Sequence, residues 1–218
     1  MNPRSVLCLI AALTVFGPHS VRGQAAIEGK VVLPKPEAPA SPPPRYAGQV
    51  GEIAAPDPPV AVVYLEGSFP IIASKTPPGT NQLLQSGMQF RPAVLPIRVG
   101  TSVKFPNGDD FYHNVFSYSK PKRFDLGRYR KDDRPPTQIF DRPGLVKLYC
   151  EIHQHMRGFI LVLDTPHFTR TQTNGDYVLK DLPTGKYTLK AWVNEKRTYE
   201  KPVELDRGQT LRVDFGQN

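Results

Sequence analysis

The chain has 218 residues, 39% of them apolar, and a formal net charge of +8. That composition is globular and gives room for one large or two small domains around an ordinary core. The basic balance favours acidic partners by long-range steering, and with no recognisable nucleic-acid-binding module, nucleic acid is not an expected partner.

Residues 1–23 read as a secretory signal: Arg4, an apolar run over 6–17, then Val21-Arg22-Gly23 with small residues where a signal peptidase would cut. Mature protein would begin near Gln24, in the periplasm or outside the cell. The apolar run is too short to span a membrane, and no later segment approaches the roughly 20 apolar residues a crossing needs. With the signal go Arg4 and Arg22, lowering the charge from +8 to +6, and also Cys8, which leaves Cys150 alone. No internal disulfide is then possible. A lone exported thiol oxidises unless protected, and metal ligation both deprotonates and sequesters it. The bland alternative is an inert buried cysteine.

Residues 26–32 and 60–65 look like strands, joined by a proline-rich stretch over 33–59 that is too interrupted for a regular element. From about residue 81, short β-rich runs recur between turns, and no stretch holds helical apolar spacing. Strands are expected at 95–99, 102–105, 113–117, 145–150 and 159–163, a count suited to a sandwich or Greek-key barrel. Pro106-Asn107-Gly108-Asp109-Asp110 is a strong turn signal just before His113. Alternation in Val146-Lys147-Leu148-Tyr149-Cys150 sends Cys150 to the interior face. Lys120-Pro121-Lys122-Arg123 and Arg128-Tyr129-Arg130-Lys131 read as one basic cluster on a solvated loop, available to dock an acidic redox partner.

The last fifty or so residues carry two alternating runs, 174–179 and 186–193, joined through Leu182-Pro183-Thr184-Gly185, and a final strand over 210–215. This stretch resembles the carboxypeptidase-regulatory or transthyretin-like β-sandwich module. The resemblance implies that strands from 26–66 complete the module and that the central domain is inserted within it. The expected organisation is therefore all-β: signal peptide 1–23, N-terminal strands and proline-rich loop 24–79, a central domain 80–164, and a β-module 165–218.

The run Tyr149-Cys150-Glu151-Ile152-His153-Gln154-His155-Met156-Arg157-Gly158 gathers a thiolate, imidazole and thioether in one loop. Soft copper suits such a set best, given a second imidazole from elsewhere, and His113 is the obvious candidate. Zinc also accepts cysteine and histidine, but a thioether is a poor zinc ligand.

In the C-x-x-H-x-x-M spacing and the His113-Asn114 pair the chain resembles the cupredoxins, the small blue copper proteins, with a short ligand loop most like that of amicyanin. The resemblance covers roughly residues 80–164. It implies a Greek-key sandwich holding one type 1 copper, with His113, Cys150 and His153 in the equatorial plane, Met156 as weak axial contact, and Asn114 tying the two ligand loops together. Phe116, Leu148 and Phe159 would wall the ion from water. His155, where that loop is usually apolar, is expected to be an exposed histidine. Glu151 is expected to be a solvated carboxylate, Gly158 to let the chain turn back, and His167 to be a surface group at the domain junction.

After signal removal four histidines remain, His113, His153, His155 and His167, too few for an oxygen-reducing copper cluster beside a blue site. No Ser-His-Asp or paired-carboxylate arrangement stands out. The expectation is a non-enzymatic single-electron carrier with a redox protein partner. The alternatives are a copper chaperone or storage protein, or an interaction module in which copper is structural.

Overall fold

The computed structural model describes residues 24–38, 53–69 and 80–216. The expected signal segment, and residues 39–52 of the proline-rich stretch, lie outside them. The described residues are all-β, and no helix is long and apolar enough to cross a membrane.

The central sandwich sets a five-stranded sheet, in the order Val94–Arg98, Arg157–Leu163, Gly144–Tyr149, His113–Ser119 and Lys122–Tyr129, with a three-stranded sheet of Thr137–Phe140, Thr101–Lys104 and Thr80–Gln82. Phe90, Phe105, Phe140, Leu148 and Ile160 fill the core they share. A short hairpin, Leu84–Ser86 with Gln89–Arg91, adds Phe90 to that core.

Strands from both ends of the chain make a second, smaller sandwich. Ala25–Lys30 lies antiparallel to Asp176–Leu182 and parallel to Thr210–Arg212, while Val62–Glu66 lies between Phe168–Arg170 and Gly185–Asn194. Gly29 is required where these pieces meet, because a Cβ there would sit 1.8 Å from the Val213 carbonyl oxygen.

Arg157–Leu163 serves both bodies. Alternation sends Ile160 and Val162 into the central core, while Leu161 and Leu163 point the other way, onto Val62 and Trp192 of the second sandwich, with Phe159 packed against them. The Phe159 and Trp192 rings meet edge-on, centroids 5.7 Å apart. The uninterrupted run Phe159-Ile160-Leu161-Val162-Leu163 is thus the pattern of a strand covered on both faces.

Two expectations need correction. Lys120-Pro121 and Arg130-Lys131 lie in turn or loop as expected, but Lys122–Tyr129 between them is an eight-residue strand. Phe124 and Leu126 alternate inward against the central core, and the charged residues between them masked that period. Gly158 lies within a strand, not at a turn, and its small size serves close packing, since a Cβ would come within 3.0 Å of Phe90.

Candidate metal centre

Two neighbouring strands aim their ends at one point. His113 begins His113–Ser119, and Cys150 follows the last residue of Gly144–Tyr149, whose Tyr149 pairs with Phe116. The loop after Cys150 doubles back at once, the Met156 amide donating to the His153 carbonyl at 2.9 Å, before the chain re-enters the sheet at Arg157.

His113 Nδ1 lies 3.9 Å from Cys150 Sγ and 3.0 Å from His153 Nδ1, which is itself 3.8 Å from the sulfur. Among the described residues this is the one group of three or more His, Cys, Asp or Glu side chains whose ligand atoms converge, all within 4.8 Å of one another. His113 and Cys150 are buried and His153 is half-buried. Met156 is fully buried in the apolar cluster that contains Cys150.

What fixes the first histidine is Asp109, a residue the sequence reading took only as part of a turn. Its carboxylate accepts the His113 Nε2–H at 2.8 Å and the backbone N–H groups of Gly87 and Met88 at 2.8 and 3.0 Å. Gly87 and Met88 are both left-handed, φ 61° and 57°, as a two-residue hairpin turn that matches strand twist requires. With Nε2 protonated toward Asp109, the Nδ1 lone pair faces the cysteine and the second histidine. Asn107 builds the turn, its amide donating to the carbonyls of Phe111 and Tyr129 while its oxygen takes the Asp109 N–H. The signal that could have found Asp109 is a carboxylate four residues before a candidate ligand, in a turn that brings it back.

Asn114 links the two ligand stretches: its oxygen accepts the Glu151 N–H at 2.9 Å and its amide donates to Asp125 at 2.8 Å. Glu151 is exposed, its carboxylate engaged by Arg128 at 2.7 Å and outside the converging group.

Burial favours the neutral form of both imidazoles. Burial pushes His113 below the usual histidine value, the Asp109 contact only partly offsetting it. Burial, then the neighbouring His113 and His155, push His153 down to about 4. Burial pushes the Asp109 carboxyl up, but the Met88 and Gly87 amides and the His113 ring outweigh it and the net shift is downward.

The walls differ from expectation. Leu148 does pack in the cluster with Cys150, but Phe116 lies on the outer face of the sheet against Tyr149, and Phe159 packs on Trp192. Strand parity explains both: in this sheet Phe116 and Phe159 alternate with the inward residues Val115 and Ile160. Phe111 supplies the aromatic wall instead, edge-on to His113 at 5.1 Å and His153 at 5.5 Å between centroids. His155 is half-buried rather than exposed, donates to the Met88 carbonyl at 3.1 Å, and is pushed down by burial. His167 is also half-buried, tilted against Phe69 with centroids 4.9 Å apart.

The donors fit a metal. Bonds of about 2.0 Å to nitrogen and about 2.3 Å to sulfur place such donors roughly 3–4 Å apart around one ion, the range spanned by the three observed separations. Two imidazoles and a thiol, with the Met156 thioether buried in the same apolar cluster as the thiol, are a soft donor set.

No family model and no curated protein matches the chain. Among solved structures it is similar to a copper-containing nitrite reductase from Thermus scotoductus SA-01, at 28% identity and TM-score 0.37, over 39% of this chain and 23% of that one. The chain thus spans about a quarter of that reductase. It is also similar to a purple cupredoxin from Nitrosopumilus maritimus, at 25% identity and TM-score 0.34, over 38% of this chain and 99% of the other. A reduced Cu(I) amicyanin variant is 20% identical with TM-score 0.36, over 46% of this chain and 98% of its own. The described residues are all-β, a central sandwich carrying the His-Cys-His cluster with a smaller β-sandwich beside it.

Proposed function

We propose that this protein is an exported, mononuclear type 1 copper protein that carries single electrons between redox protein partners. The convergence of His113 Nδ1, Cys150 Sγ and His153 Nδ1 within 4.8 Å, two of the three residues buried, is the observation that carries the reading. These residues would hold the ion, with Met156 as a weak thioether contact, and copper, when bound, supplies a one-electron couple. The chain's own part is to keep the donors still. Asp109 orients His113 and keeps its proton off Nδ1, Asn114 ties the residue after Cys150 to the His113 strand, and Phe111 shields both rings from water. Donors held this way move little when the charge on the site changes, which favours fast transfer.

Tyr112 and Ile152, the sequence neighbours of the two histidines, are 50% and 37% exposed and offer an apolar rim beside half-buried His153 for a partner. We read it as a carrier rather than an enzyme; Glu151 turns to Arg128 and His155 to the Met88 carbonyl, so neither side chain joins the three converging donors. In this reading residues 80–164 are the copper domain, and the flanking carboxypeptidase-regulatory-like sandwich steadies it through Trp192.

The test is metal analysis with visible and paramagnetic resonance spectra of the copper-loaded protein beside Cys150→Ser. The expected result is one copper per chain, an intense thiolate-to-copper band that the variant lacks, and reversible cycling. A copper-loaded protein without that band rejects the assignment, and tight copper(I) binding without cycling indicates a chaperone.

A further inference from the structure

The basic residues that read as one cluster in the sequence are pulled apart by the fold. Lys122–Tyr129 pairs with the donor strand as His113↔Tyr129 at one end and Ser119↔Lys122 at the other, so the two groups lie about 20 Å apart at strand rise. At the donor end two of the three cations are paired, Arg128 with Glu151 and Lys131 with Asp110, while the Arg130 guanidinium is held against the Asp110 carbonyl and the Tyr112 ring. At the hairpin end Lys122 reaches Asp141 only at 4.0 Å, and among the described residues Lys120 and Arg123 enter no ion pair.

That second end also carries Tyr118, 74% exposed and the cross-strand partner of Arg123. From Tyr118 a line of rings runs back toward the cysteine. Tyr118 and Phe116 are 5.3 Å apart between centroids, Phe116 and Tyr149 5.7 Å, and Tyr149 is bonded directly to Cys150. Alternation puts these three rings on the outer face of the sheet while Val115, Ser117 and Cys150 are buried. The second sandwich covers the neighbouring part of the same face, through Phe159 on Trp192 and Lys147 on Glu195, and leaves Tyr118 open.

We infer that Tyr118 marks a second electron port, where an acidic one-electron redox protein docks against Lys120, Lys122 and Arg123 and exchanges an electron with the copper along Phe116 and Tyr149. The inference rests on the copper reading above. The electron lost at the cysteine-bound copper reduces the partner's acceptor by one. No bond forms or breaks and no proton moves, the rings serving only as a medium for tunnelling. The rim charges steer encounter, so the port is sensitive to salt.

Hexacyanochromate(III), a paramagnetic anion, added to the metal-free protein tests the docking half by nuclear magnetic resonance. Broadening centred on Tyr118 and Arg123 and relieved by salt is expected; broadening centred on Tyr112 and Ile152, or concentration-dependent self-association through Tyr118, overturns the proposal. The transfer half is read in the copper-loaded protein with hexacyanoferrate(III) as oxidant. Tyr118→Ala should slow oxidation several-fold, Tyr118→Phe should restore it, and Arg123→Glu should slow it and flatten its salt dependence, all with unchanged reduction potential and visible band. Rates indifferent to Tyr118 in a blue protein sink the port alone, whereas absence of the blue band sinks the copper reading and the port with it.

Discussion

Removing the Asp109 carboxylate is the sharpest perturbation of the site that leaves every donor in place. In Asp109→Ala three hydrogen-bond donors lose their acceptor: the Gly87 and Met88 amides and the His113 ring N–H. An orphaned buried donor costs about 1–3 kcal/mol. The Asp109 side chain is 12% exposed, so water reaches part of the gap and the low end of the range applies. The metal-free variant should therefore lose about 3–5 kcal/mol of stability, measured as a lower urea midpoint at unchanged slope. Freed at Nε2, His113 also loses the preference that bares Nδ1, and copper affinity should fall by about 10–100-fold in competition titrations. Asp109→Asn separates the two effects. Its amide oxygen can still accept a backbone N–H, so stability should recover in part, while copper affinity stays low for want of the carboxylate. Wild-type stability and affinity in Asp109→Ala would refute the reasoning.

Acid should weaken the metal-free fold before it touches the carboxylates. The His153 value falls from 6.5 unfolded to about 4 folded, so its contribution is fully present above 6.5 and is lost as pH drops toward 4; denaturation midpoints between pH 7 and 4.5 should show a slope that His153→Asn flattens. Asp109, also lowered, adds an acid loss only below its unfolded value of about 3.9. Trp192→Ala should cost about 3–5 kcal/mol and split one calorimetric transition into two, because the residue is 6% exposed between the sandwiches. Gly29→Ala should cost roughly 3 kcal/mol or more, since its Cβ would meet backbone that no rotamer change can move; native-like melting of that variant would contradict the strand pairing.

Much of this architecture was legible because alternation is written plainly where only one face is buried. Val146-Lys147-Leu148-Tyr149-Cys150 reads inward for Cys150, and the structure buries it. Alternation failed where charged residues occupy the outward positions of an edge strand, as in Lys122–Tyr129, and the strand between the two basic runs was missed for that reason. The convergence of His113, Cys150 and His153 was anticipated from chemistry and spacing, yet its support was not. The Asp109 contact with His113 spans four residues and leaves a local trace, but the Gly87-Met88 turn that anchors the carboxylate lies some 20 residues away in sequence, which no local pattern encodes. The same limit hid the role of Phe111, which neighbours His113 in sequence but reaches His153 only through the fold.

The split second sandwich has a consequence for biogenesis. Among the described residues, strands Ala25–Lys30 and Val62–Glu66 pair only with residues beyond 165, so until the rest of the chain is synthesised their edges have nothing to pair with. Open edges of this kind invite pairing with other chains. A polypeptide truncated after residue 164 would therefore keep every donor yet carry two stray ribbons, and its failure would show as aggregation rather than as loss of metal chemistry.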